Sequence, residues 1–148
     1  MIQEQVEAVA SQQSASKAFR KRDTAICLSV KEILAGSFVR GSAEGEPSFV
    51  ESEGEKFSRV KLVGTIVQRS EDENGVTLLL LDGGTSIAVR AYTQEGNSML
   101  QALNKGDDAQ IIGRIREREE RFVSAEIATA LHDLNWETVH RLSTAIRV

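Results

Sequence analysis

Cysteine is almost absent: Cys27 is the only one in 148 residues. One thiol excludes an internal disulfide and suits a reducing compartment. Histidine is nearly as scarce, with His132 and His140 alone. One thiol and two imidazoles cannot furnish a four-ligand zinc site from those residue types. Cys27 is therefore read as a buried thiol, and the two histidines as surface or packing side chains. The chain has no Gly-x-Ser-x-Gly, no P-loop and no His-Glu-x-x-His. Those gaps remove the usual nucleophile, nucleotide and zinc-hydrolase signatures. The expectation is a protein that is not an enzyme and takes no metal or cofactor. No apolar run nears the ~20 residues of a membrane span, so no membrane partner is expected. The opening Met-Ile-Gln-Glu-Gln lacks the apolar stretch of a secretory signal. Aromatic residues make up 5% and proline occurs once, at Pro47.

What is present fits an ordinary globular domain. The apolar fraction is 41% and the charged fraction 27%, and a domain near this length can bury a proper core. The net charge of −4 argues against nucleic acid as a partner, but the charge is unevenly spread. Residues 1–22 sum to +2 and residues 23–58 to −4. Residues 59–121 are near neutral yet hold Arg59, Arg69, Arg90, Arg114, Arg116, Arg118 and Arg121. Arginine suits planar and phosphate contacts; a solvated strand surface laced with ion pairs is the rival reading.

The Gln-, Ser- and Ala-rich residues 1–22 lack an apolar stripe and read as a flexible tail. Ser29-Val-Lys-Glu32 has capping-box form, with Leu28 and Ile33 spaced as a hydrophobic staple. That predicts a short helix over Ser29–Ala35, ended by Gly36 in a left-handed cap. Ile33 and Leu34 should plug one end of the core. Residues 41–56, rich in Gly and Glu, read as an exposed loop or hairpin tip.

Period-2 alternation then marks strands at Phe57–Arg69, Ser86–Tyr92, Asp108–Arg116 and Phe122–Thr129, and Val76–Leu81 reads as a strand apolar on both faces. Gly64 inside the first suggests a bulge or tight bend. A short helix over Asn97–Asn104 separates the third strand from the fourth. Trp136, Val139, Leu142 and Ile146 recur at steps of three and four, the stripe of an amphipathic helix. Five strands with a helix between the third and fourth is the layout of an OB-fold barrel. The fold class expected is all-β: residues 1–22 a tail, 23–130 the OB-fold domain with its flank, and 131–148 a C-terminal oligomerisation helix.

Several segments also resemble a known family. Arg59-Val-Lys-Leu-Val-Gly-Thr-Ile-Val67, Leu81-Asp-Gly-Gly-Thr-Ser-Ile-Ala-Val89, Lys105-Gly-Asp and Ile111-Ile-Gly-Arg-Ile-Arg116 are similar to the OB-fold of the replication protein A middle subunit, archaeal form. Leu28–Leu34 resembles the segment before that barrel, and Leu134–Leu142 its closing helix. The family usually has Asp-Asp-Gly-Thr-Gly where this chain has Leu81-Asp-Gly-Gly-Thr-Ser. The resemblance implies a non-catalytic subunit of a heteromeric single-stranded DNA-binding complex in replication and repair. It implies an archaeal, cytoplasmic and nucleoid-associated setting.

An OB groove lies on the second and third strands, between the loops joining strands 1–2 and 4–5. Bases stack there on aromatic rings while cations track phosphates. The candidate stacking residues are Tyr92 and Phe122. The candidate phosphate contacts are Lys61, Arg90, Arg114, Arg116, Arg118 and Arg121. The acidic strand 1–2 loop, Glu71-Asp72-Glu73, opposes phosphate. The resemblance further implies that Leu134, Trp136, Val139, Leu142 and Ile146 pair with helices of other subunits; packing back on the barrel is the alternative. A pure assembly subunit that never touches nucleic acid is the rival function.

Overall fold

The computed structural model describes residues 25–41, 47–132 and 135–145. The expected tail, the middle of the acidic loop, Leu134 and Ile146 lie outside the described residues. Five strands close a barrel: β5 (Arg59–Asp72), β6 (Gly75–Asp82), β7 (Thr85–Arg90), β8 (Asp108–Glu117) and β9 (Arg121–Ala130). They run in the order β5-β6-β7-β9-β8 and back to β5. Every neighbouring pair is antiparallel except β7 and β9. This is the OB-fold expected. A short strand, β1 (Ile26–Cys27), lies outside the barrel, parallel to β5 at Val60 and Lys61.

Closure depends on β5. It pairs with β8 through Arg59–Thr65 and with β6 from Thr65 onward. A Cβ on Gly64 would lie 2.4 Å from the Leu81 carbonyl oxygen, so a glycine lets the two backbones pass. The bulge itself falls further on, between Ile66 and Gln68, leaving Val67 as the extra residue. Alternate side chains point inward, as strand geometry requires. Val60, Leu62, Ile66, Leu78, Leu80, Val89 and Ile111 are at most 1% exposed and form one cluster. Each such burial stabilises by about 1.5–3 kcal/mol.

The helices seal this cluster. α1 (Val30–Ala35) starts with the full Ser29–Glu32 capping box. Ile33 enters the core, while Leu34 is 39% exposed and does not serve as a plug. Gly36 has φ −73°, not the left-handed cap expected. Its reason is space: a Cβ there would meet Val50 Cγ1 at 2.4 Å. α2 (Gln94–Gln101) begins three residues before the expected start, because Thr93 Oγ1 caps it by accepting from Gly96 N–H at 2.9 Å. Leu100 and Leu103 fill the core beneath it.

The acidic segment holds more structure than expected. β2 (Ser37–Val39), β3 (Phe49–Ser52) and β4 (Glu55–Phe57) form an antiparallel sheet, with Val50 and Phe57 buried. β9 carries a bulge. Gly113 faces Ala125 while Ile112 faces Ile127, so Glu126 is an extra residue. Alternation inverts there, and Ile127 turns outward instead of following Val123 and Ala125 inward. α3 (Trp136–Ala145) follows the barrel. No helix among the described residues is long and apolar enough to cross a membrane.

Candidate nucleic-acid interface

The β5–β6 turn, the end of β7, the start of α2 and the β8–β9 turn converge on a groove of about 600 Å³. Asp72, Asn74, Thr77, Arg90, Tyr92, Gln94, Asn97 and Arg118 line it. Tyr92 lies just past β7, free of the ladder, and is 55% exposed. The Arg118 guanidinium stands 5.7 Å from its ring centroid. Such a pair offers a flat apolar surface with a cation at its edge.

Phe122 lies beneath this pair. Its register across β8 sets it opposite Arg116, and across β7 opposite Ala88. Its ring centre is 6.2 Å from that of Tyr92, and the Arg90 guanidinium sits 5.4 Å above it. Only 2% of Phe122 is exposed, so it supports Tyr92 and Arg90 and cannot itself stack a base. Arg90 Nε is buried and finds no hydrogen-bond acceptor among the described residues. The half-buried Arg90 guanidinium, fixed over that ring, stands at the groove wall, where a cation pairs with an anionic oxygen.

The other candidate cations separate into groups. Arg114 lies on the outer face opposite Arg59 and Ser124, and Arg116 next along β8 is exposed. They extend the basic surface away from the groove. Arg59 is spent on Glu126, at 3.0 Å. Arg121 does not line the groove. Its Nη1 donates to the carbonyls of Ile33 at 2.6 Å and Gly36 at 2.7 Å, where α1 ends. Its Nη2 reaches Glu117 at 3.4 Å. Arg121 therefore satisfies orphan helix carbonyls and ties α1 to the barrel. Lys61 also lies elsewhere, at a small pocket under α3.

Sequence reasoning missed the groove's polar wall. Asn97 Oδ1 accepts from Val76 N–H at 2.9 Å, which pins α2 to β6. The signal was Thr93, whose capping role brings Gln94 and Asn97 to the first turn of α2. The acid opposing phosphate is real but partly engaged: Asp72 accepts from Asn74 N–H at 2.8 Å, and Glu71 accepts from Gln101 at 3.3 Å.

The C-terminal stripe divides. Trp136 Nε1 donates to Asp108 at 2.9 Å, so it holds the barrel. His140, 4% exposed, donates through Nε2 to Asp82 at 3.0 Å. Its Nδ1 is 3.5 Å from Cys27 Sγ. The hydrogen bond to Asp82, helped by that to Cys27 and opposed by burial, pushes the His140 pKa from 6.5 up to about 9. Val139 and Leu142 stay exposed, each at 58%. So α3 docks on its own barrel by a polar side and shows an apolar pair outward.

No known family's sequence profile matches the chain, and no curated protein matches it. Solved structures do. A chain of a replication protein A heterotrimer bound to ssDNA superposes with TM-score 0.68 at 16% identity, over 83% of this chain and 93% of that one. A chain of the Stn1–Ten1 complex from S. pombe gives 0.72 at 19%, over 83% and 90%. A chain of yeast RPA bound to ssDNA gives 0.62 at 17%, over 82% and 87%. At these identities the likeness is one of fold. The matched share of this chain is larger than the barrel alone.

Proposed function

We propose that this protein is a non-catalytic subunit of a heteromeric, replication protein A-like complex that binds single-stranded DNA. The observation that carries the reading is the groove. An exposed tyrosine, two arginines held on aromatic rings and a polar wall meet where an OB-fold takes single strands. Tyr92 stacks a base, and Arg90 and Arg118 contact the flanking phosphates. Arg114 and Arg116 supply weaker contacts along the outer face. The binding is weak and independent of sequence, because the cations are few and acids interleave with them. The neighbouring solved chains belong to complexes described with ssDNA or with a second subunit, which supports both parts of the proposal. Assembly uses the exposed Val139 and Leu142 of α3; Leu134 and Ile146, proposed from the sequence as further interface residues, lie outside the described residues. The archaeal middle-subunit assignment, the role in replication and repair, and the cytoplasmic, nucleoid-associated setting follow from the sequence resemblance.

A second reading is favoured by a specific observation. The net charge of −4 and the acidic β5–β6 turn suit a subunit that only assembles partners. Fluorescence anisotropy of a labelled oligo-thymidine of roughly 30 nucleotides, titrated at about 50 and 200 mM salt, separates the two. Binding that weakens steeply with salt supports the groove. No binding by either the chain or its assembled complex favours the assembler.

A further inference from the structure

Away from the groove, three reactive side chains stand in line. Cys27 Sγ lies 3.5 Å from His140 Nδ1, and His140 Nε2 lies 3.0 Å from Asp82 Oδ2. They come from β1, α3 and the end of β6, elements far apart in sequence. Asp82 Oδ2 also accepts from Val30 N–H at 3.3 Å, which fixes the carboxylate and, through it, the ring. A pocket of about 170 Å³ opens beside the thiol and the imidazole. Val63, Leu131, Trp136 and Val139 form much of its wall. A cysteine that only fills space needs neither an adjoining cavity nor a proton donor aligned by a carboxylate. Both are present, in the relation that thiol chemistry uses: nucleophile, imidazole, orienting acid.

We infer that Cys27 is a thiol–disulfide exchange site for small disulfides, with His140 as the proton donor to the departing sulfur. Cys27 sulfur attacks one sulfur of the disulfide and a new S–S bond forms. The reagent's own S–S bond breaks, and the electron pair leaves on its second sulfur. His140 hands that sulfur its Nδ1 proton, and the departing group leaves as a thiol. The proton lost by Cys27 returns through solvent to the ring. Nothing is consumed beyond one disulfide per chain. A pocket of this size suits small disulfides rather than peptide-sized ones such as oxidised glutathione. The small cap it admits lies against Trp136, so the thiol's state is felt at the seat of α3.

The groups around His140 set the pH response. Asp82 on β6 and Cys27 on β1 contact it, and Lys61 on β5 shares its pocket. Asp108 on β8 is engaged by Trp136. Glu137 and Arg141, on the same helix, pair with each other at the surface. The ring holds its proton through neutral pH and loses it near pH 9.

The test is the rate at which hydroxyethyl disulfide modifies the full chain, followed by intact mass. With one cysteine the adduct is unambiguous. The reference is the same chain unfolded in urea, each rate being corrected by a free thiol in the same buffer. The expected result is a native rate about tenfold or more above the unfolded rate at pH 7. That advantage should fade above pH 9, and oxidised glutathione should show none. His140→Gln should abolish the advantage, with emission of the sole tryptophan checking that α3 is still seated. A native rate at or below the unfolded rate at pH 7 would overturn the inference. So would an advantage unchanged above pH 9. The wild-type rate at pH 7, where α3 is docked, decides the matter even if His140→Gln unseats the helix.

Discussion

Tyr92 and Phe122 have touching surroundings and opposite fates. Both are aromatic candidates for stacking by sequence, yet Phe122 is 2% exposed and only Tyr92 is open. Pattern alone does not show that Tyr92 and Arg90 lie over Phe122. The consequence is a division of labour that mutation can separate. Tyr92→Ala should leave the thermal midpoint nearly unchanged and weaken oligo-thymidine binding by about 1–3 kcal/mol, read by anisotropy. Phe122→Ala removes a buried ring and should lower unfolding stability by about 3–5 kcal/mol, read by chemical denaturation. Arg121 teaches the same lesson. Its side chain is long enough to reach the end of α1, so neighbours in sequence on one turn serve different purposes. Arg118 goes to the groove and Arg121 goes to helix carbonyls.

At the scale of elements, β-strands with period-2 patterns were legible, and so was the capped α1. The errors have physical causes. One extra residue, Glu126, inverts the inward face of β9, and single bulges leave no compositional mark here. The β2–β4 sheet is short, and its exposed glutamates hide Val50 and Phe57. In α3 the apolar stripe was visible, but the side that docks is built on His140, a polar residue. That contact carries a pH signature. The folded-state pKa of His140 lies above its ordinary 6.5, at about 9. Protonation therefore favours the docked state. The stabilisation is complete below about pH 6.5 and is lost as pH rises through about 9. Emission from Trp136 should shift to the red over that window as the indole leaves Asp108, and His140→Gln should remove the shift.

At the scale of the whole molecule, the groove and the outward face of α3 are built on separate parts of the fold. The groove lies on β6, β7 and α2, and α3 rests on β1 and β5. Nucleic-acid contact and assembly should therefore be separable. Val139→Ala with Leu142→Ala should leave the isolated chain's thermal midpoint within about 0.5 kcal/mol equivalent. The same pair should shift a reconstituted complex toward free subunits on sizing. Tyr92→Ala should not. The central claim, that a single strand lies in this groove, is tested most directly by photocrosslinking. An oligo-thymidine carrying 5-iodouracil would be irradiated with the full chain at about 50 mM salt, and the adduct mapped by mass spectrometry. The account predicts an adduct on Tyr92, lost at higher salt. An adduct confined to the β2–β4 sheet or to α3, with none on Tyr92, would contradict it.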